Sequence, residues 1–396
     1  MKHLKIIFNA LKGVFTVLFL SSVTPVVAVE DVDVAQMDSV EISLLTCEPH
    51  DEVYSLYGHT AIRYHDLREE GVDVAFNYGV FNFRAPYFTL RFVFGITDYE
   101  LGAYPYRLFL REYRHFGSEV IEQVLNLTNE EKFQLRLALA ENLLPENTVY
   151  RYNFFYNNCT TKARDIIEQC INGRVEYTGF KTDTTTYRNT VHAMTKDNPW
   201  SRFGNDLLLG IKADAPTTMR QQEFLPANLM RDFDSAKIIE NGFTRPLVKE
   251  RRVAVPGGVK IIQAGFPLPP LVCGLILLVV GILLFLLEYR LCRSFLLWDI
   301  LLMVITGVFG IILFLMLFSQ HPTVSLNLQI LLLNPLPWFF LWPVLKGRKT
   351  RYWPVTAVLA LLFLLGGLFQ CYAEGLWCLA LCLLLQSYIH MKRCTR

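Results

Sequence analysis

The chain has 396 residues, 52% of them hydrophobic and only 19% charged, and its formal charge of +2 describes no part of it. Of 38 basic residues, three lie in residues 1–28 and nine in residues 267–396, against none and three of the 36 acidic ones, so residues 29–266 are net acidic by seven. This split excludes an ordinary soluble enzyme, a disordered chain and a small disulfide scaffold, and it offers no basic face for nucleic acid.

Residues 1–28 read as an export signal, with Lys2, Lys5 and Lys12 before an apolar run from Val14 to Leu20 and a small-residue exit at Val26-Val27-Ala28. An uncleaved anchor is the alternative. In either case residues 29–266 are expected outside the cytoplasm, with 29–242 as one domain. The stretch 41–47 (EISLLTC) predicts a buried strand, 56–64 (LYGHTAIRY) a second that carries His59, and 74–81 (VAFNYGVF) a third. Pairing the last two about a centre near residue 68 sets Asn77 opposite His59. An amide oxygen there orients an imidazole, as the third member of a Cys-His-Asn set does. Phe81, Phe83, Tyr87, Phe88, Phe92 and Phe94 follow as core or groove candidates.

An acidic-capped helix is predicted over 129–142, then an aromatic run over 150–158, then a second helix over 160–170 with Asn158 or Thr160 as its cap. Cys159 therefore falls at or just before a first helical turn, where partial positive charge favours the thiolate. A neighbouring imidazole would lower the thiol pKa further and supply a general base; a buried, inert thiol is the plain alternative. Only Cys47, Cys159 and Cys170 precede the apolar half, an odd number that permits at most one bridge. Cys159 and Cys170 are separated by ~16 Å along a helix and cannot pair. Either a Cys47–Cys170 bridge or none leaves Cys159 free.

Residues 187–230 read as short helices covering the cysteine domain, with His192 among them and, like His65, expected to be solvated or in the core. Residues 243–266 read as a linker. From Pro267 onward, apolar runs recur at 268–287, 295–318, 326–345, 353–370 and 374–389, each near the length of a membrane helix. Cations fill the first and third gaps and the tail but are missing from the second and fourth, which orders the ectodomain outside and the tail inside. The third run begins under His321-Pro322 and carries Asn327 and Asn334 before Pro335 and Pro337. Two readings stand: a polar notch facing the outer leaflet for a headgroup or substrate peptide, or a kinked helix with its amides bonded to neighbouring backbone. No internal repeat, phosphate-cradling glycine loop or metal-ligand cluster occurs, so no cofactor is expected.

Taken together, the GHTAIRY and FNYGVF strands, the YNFFYNNCTT entry into a helix and the HPTVSLNLQILLLNPLP membrane stretch resemble the Lnb-type lipoprotein N-acyltransferases over nearly the whole mature chain. The resemblance implies an α+β ectodomain similar to a permuted NlpC/P60 (papain-like) fold, followed by a five-helix transmembrane domain over 267–396. It implies Cys159 as nucleophile and His59 as base, while Asn77 rests on the strand pairing. His321, Asn327, Asn334 and Asn158 are substrate-binding candidates. The implied reaction moves an acyl chain from a phospholipid or lipoprotein donor, through a Cys159 thioester, to the amino-terminal diacylglyceryl-cysteine of an apolipoprotein at the bacterial inner membrane. Backbone N–H groups at the Cys159 helix start are then candidates for the oxyanion hole. Drawing a chain of about 15 methylenes into water would cost on the order of 12 kcal/mol, so such a site must face the bilayer. The competing readings are a membrane-tethered cysteine peptidase or amidase acting on peptidoglycan, and a non-enzymatic scaffold that binds lipid or peptide.

Overall fold

The computed structural model describes residues 34–51, 55–68, 71–81, 86–178, 184–261 and 265–394; the expected export signal and Phe83 lie outside them. After a 3-10 turn (Val34–Ser39) come three strands, β1 (Val40–Cys47), β2 (His59–Asp66) and β3 (Asp73–Val80). Helix α1 (Phe88–Val93) leads to β4 (Asp98–Pro105), α2 (Tyr106–Phe116), β5 (Val120–Leu125), α3 (Asn129–Asn142), β6 (Val149–Arg151) and α4 (Cys159–Gln169). Next are β7 (Arg174–Glu176), α5 (Tyr187–Met194), α6 (Pro199–Leu208), α7 (Met219–Gln222), α8 (Pro226–Ser235), β8 (Lys237–Glu240), β9 (Phe243–Pro246) and β10 (Val248–Val255). Five apolar helices close the chain: α9 (Pro270–Leu291), α10 (Leu296–Met316), α11 (Leu336–Leu345), α12 (Tyr352–Gly366) and α13 (Leu376–Cys394).

Seven antiparallel strands form one sheet in the order β10-β5-β1-β2-β3-β4-β6, and β7-β8-β9 form a second. Because side chains alternate across a strand, Leu45, Ala61 and Ala75 turn to one face, where Tyr106, Phe109, Leu110 and Tyr113 of α2 cover them. Thr60 turns to the other face and meets Thr160 of α4, hydroxyl to hydroxyl at 3.2 Å.

The sheet corrects two expectations. Ile62 pairs with Phe76, so the β2–β3 hairpin is centred near residue 69, and continuing that register sets His59 across from Gly79 rather than Asn77. The segment taken as a linker is largely structure, since Phe243–Pro246 and Val248–Val255 are both paired strands. The charged Lys-Glu-Arg-Arg run, 249–252, belongs to β10, which is an edge strand. Its side chains reach outward into ion pairs, Arg251 with Asp234 at 3.0 Å and Arg252 with Glu41 at 2.7 Å, as a protected edge requires.

Three helical stretches are long and apolar enough to cross a membrane: Pro270–Leu291, Leu296–Met316 and the bent Leu328–Leu345, with mean hydropathies of 3.0, 2.6 and 1.5. Tyr352–Gly366 and Leu376–Lys392 are shorter apolar helices. The third stretch breaks where Pro335 and Pro337 interrupt the backbone ladder, a 3-10 turn at Leu328–Leu331 preceding α11. Gly310 of α10 allows this bend to pack: a Cβ there would lie 2.2 Å from the Asn334 carbonyl carbon.

A buried polar clamp joins the two halves. Asn327 and Gln329 donate to the Leu207 and Asp206 carbonyls at 2.8 Å, and Gln370 to that of Leu209 at 3.1 Å. On the other side Arg188, 1% exposed, holds Asp206 at 2.8 Å and Asp214 at 2.6 Å. His192 also bonds Asp206, at 2.8 Å. An unpaired charge here would be costly to bury, so the clamp fixes the sheet domain on the helices.

Candidate active site

The site starts from the way α4 begins. Asn158 has extended backbone, and its Oδ1 accepts from the Thr160 and Thr161 N–H groups at 3.0 and 2.9 Å. Thr161 returns the bond, its hydroxyl accepting from the Asn158 N–H at 2.9 Å. This capping box pins Cys159 as the first helical residue. The Asn158 Nδ2 donates to the Phe154 and Phe224 carbonyls at 2.9 and 2.8 Å, and the residue is 3% exposed. Every polar atom of Asn158 is therefore committed, which corrects its assignment to substrate binding. The helix-start donors are also fewer than expected. Thr160 and Thr161 N–H are spent on the cap, which leaves the N–H of Cys159 itself.

His59 opens β2 and is half-buried, like Cys159 and Asn77. Its Nε2 lies 2.6 Å from Asn77 Oδ1 and donates to it. In the observed register Asn77 stands one pleat diagonal to His59, still on the same face, so the amide reaches the ring despite the shifted hairpin centre. With Nε2 occupied, Nδ1 is the ring nitrogen left to serve the thiol. Gly79, at φ +97°, closes the triangle: a Cβ there would lie 3.7 Å from Cys159 Cβ and 3.9 Å from His59 Cε1.

Burial alone would push the Cys159 thiol up. The His59 charge and hydrogen bond, the Thr60 N–H and the Thr160 hydroxyl outweigh it and bring the thiol down from 9.0 to about 7. Burial likewise opposes the charged form of His59, but the Cys159 charge, its hydrogen bond and that of Asn77 hold the imidazole pKa above its ordinary value. A thiolate–imidazolium pair is thus favoured near neutrality, which is the state a cysteine nucleophile needs. Cys47 and Cys170 are free thiols, both held up chiefly by burial.

Aromatic residues from separate elements lie within electrostatic reach of the sulfur. Burial raises the hydroxyl pKa values of Tyr99, Tyr150 and Tyr152, and the Cys159 charge adds to each shift. From there a tract of rings runs outward: Tyr152 to Tyr99 at 4.0 Å, Tyr99 to Phe81 at 4.9 Å, Phe81 to Phe88 at 6.0 Å between centroids. It ends on α1, whose Tyr87, Leu90 and Phe92 are exposed. Helix α1 is tied to the end of α10, where Gln320 N–H donates to the Phe94 carbonyl at 2.9 Å and Phe318 is 62% exposed.

The membrane candidates do not converge on this site. His321 packs under Gly95 and accepts at Nδ1 from Asn153 Nδ2 at 3.3 Å, at the base of the loop leading to Cys159. Asn327 is 4% exposed and spent in the clamp, its Oδ1 accepting from Gln329 and Gln370. Asn334 closes its own turn, donating to the Leu331 carbonyl at 3.2 Å and accepting from the Leu336 N–H at 3.2 Å. The notch is therefore not an open polar site: the bend saturates its amides, and only His321 adjoins the cysteine loop. Sequence reasoning missed Thr60 and Gly79. The glycine inside an otherwise β-branched and aromatic strand was the available signal. Among the described residues no group of three or more His, Cys, Asp and Glu side chains is set to hold a metal ion.

A mixed α/β domain that brings Cys159, His59 and Asn77 close together, docked on a bundle of apolar helices, defines a membrane protein with a cysteine-histidine-asparagine cluster in its sheet domain. Residues 32–193 match the family model described as the Lnb N-terminal periplasmic domain, and residues 262–396 match the Lnb transmembrane domain. The chain belongs to the Lnb family, with its sheet domain on the periplasmic side, and membership points to a membrane enzyme of lipoprotein maturation. Neither a curated protein nor a solved structure matches it.

Proposed function

We propose that this protein N-acylates the amino-terminal diacylglyceryl-cysteine of lipoproteins through an acyl-thioester on Cys159. The observation that carries the reading is the run of aromatic rings from Tyr152, within electrostatic reach of Cys159, to α1 beside the end of α10. An acyl chain following it would pass between lipid and sulfur without crossing water, avoiding a cost of about 0.8 kcal/mol per methylene. A peptidoglycan hydrolase has no use for such a tract.

The thiolate attacks the ester carbonyl, the C–S bond forms, and the C–O bond to glycerol breaks as imidazolium His59 protonates the departing oxygen. Asn77 holds the ring in the tautomer that presents Nδ1 to the sulfur. The acceptor α-amine, with a pKa of about 7.7–8.0, is substantially neutral at physiological pH. It attacks the thioester, neutral His59 takes its proton, the C–N bond forms, and the thiolate leaves. The Cys159 N–H is the helix-start donor free to meet the oxyanion in both steps. The acyl donor is a phospholipid or a second lipoprotein in the same membrane.

The test is mass spectrometry of the amino-terminal peptide of a reporter lipoprotein, made in a strain lacking other N-acylation. With the wild type the peptide gains one acyl chain. With Cys159→Ser the free amine persists, and on the intact wild-type protein a trapped adduct of one acyl mass maps to Cys159. A free amine in the presence of folded wild type overturns the proposal, and so does acylation undiminished in Cys159→Ser.

A further inference from the structure

A cavity opens in the helical half at its far end from Cys159. Helices α10 and α12 begin there and α13 ends there, while their opposite ends meet residues 320–329 and 370–373, which bond to the sheet domain. With the sheet domain periplasmic, this end faces the cytoplasm. The cavity measures about 430 Å³. Its floor is polar: Asp299, 1% exposed, accepts from Gln386 at 2.7 Å and from His390 Nε2 at 3.0 Å. Trp353 stacks flat on the His390 ring, 4.3 Å between centroids and 5° between planes, fixing its orientation.

Its mouth is of opposite character. Arg348 and Lys349 line it, both exposed, and among the described residues neither makes an ion pair. Thr350 lines it as well, with its hydroxyl buried and lacking a hydrogen-bond partner among the described residues, an arrangement that costs free energy unless something fills it. The third side is apolar. Leu296, Leu345 and Met391 line the cavity and continue onto the lipid-facing surface. An anion with an apolar tail matches all three walls: head against Arg348, Lys349 and Thr350, chains along Leu345 and Leu296.

We infer that this cavity binds the headgroup of an anionic phospholipid of the cytoplasmic leaflet, a site separate from the acyl-transfer centre and independent of the reading of Cys159. Basic pockets between helices on this side are suited to such headgroups.

The experiment is native mass spectrometry of the full-length protein in non-ionic detergent, titrated with phosphatidylglycerol or phosphatidylcholine of the same chains. Phosphatidylglycerol binds at least tenfold more tightly. Arg348→Gln with Lys349→Gln weakens it roughly 10- to 30-fold, the loss for two near-surface cations, and leaves phosphatidylcholine unchanged. Thr350→Val, which removes only the unpartnered hydroxyl and keeps the cations, weakens it severalfold and guards against misfolding of the double variant. Arg174→Gln, on the exposed sheet domain, has no effect. Equal binding of the two lipids, or unaltered phosphatidylglycerol binding in both variants, overturns the inference. Displacement by millimolar inorganic phosphate overturns it too, since the site would then serve a soluble anion.

Discussion

Replacing His59 with Gln removes the cation that holds the Cys159 thiol at about 7 against an ordinary 9.0. What remains around the sulfur is burial, which raises the pKa, and the opposing help of the Thr60 N–H and Thr160 hydroxyl, so the thiol returns toward its ordinary 9.0 in the variant. At pH 7 the thiolate fraction then falls from about one half to about 1%, roughly 50-fold. A more basic thiolate is also a better nucleophile, by ~8-fold for two pK units at a Brønsted slope of ~0.45, so the rate with a disulfide probe drops only about sixfold at pH 7. The discriminating quantity is therefore the midpoint of the pH–rate profile. It is read at Cys159 by peptide mass spectrometry, because the chain has nine cysteines. The sign is fixed: reactivity is lost as pH falls through about 7 in the wild type, and through a clearly higher value, toward the ordinary 9.0, in His59→Gln. A midpoint that stays near 7 would refute the pairing of sulfur and ring.

Asn77→Ala should shift that midpoint the same way but less than His59→Gln does, because Asn77 supports the charge of His59 and reaches the thiol only through it; an unmoved profile would leave Asn77 with no orienting role. Asn158→Ala loses the cap and strands the Phe154 and Phe224 carbonyls, so the thermal unfolding midpoint in detergent should fall by the equivalent of about 2–4 kcal/mol; full stability with weakened substrate binding would restore its assignment to substrate. Gly79→Ala meets open contacts but an unfavourable φ, so it should cost about 1–3 kcal/mol and slow Cys159 labelling; a neutral outcome would mean the strand relaxes there. Tyr87→Glu with Leu90→Glu should impair acylation from bilayer-embedded donors while leaving the Cys159 midpoint near 7. Equal activity on such donors would detach α1 from the lipid route.

Local chemistry was largely legible from one dimension. The period-two pattern around His59, the asparagine before Cys159 and the apolar runs after Pro267 each announce an element through forces acting within a few residues. The hairpin centre was misjudged by one residue, yet Asn77 kept its face, because a shift of the centre by one moves the opposed partner by two and side chains alternate with period two. The edge strand Val248–Val255 escaped notice because its charges satisfy themselves against Glu41 and Asp234, contacts made with distant parts of the chain.

By itself, then, the order of residues determined the three strands around His59, the apolar helices, and that a cysteine stands at a helix start with a histidine on a strand. Only the tertiary structure decided the rest: that Cys159 and His59 flank Gly79, that Tyr99, Tyr150 and Tyr152 lie within electrostatic reach of the sulfur, and that Asn327 serves as a clamp. The physical reason is range. Helix caps and alternation are settled by neighbours in the chain, whereas a thiol pKa and the saturation of a buried amide depend on groups from other elements, which no spacing rule brings together.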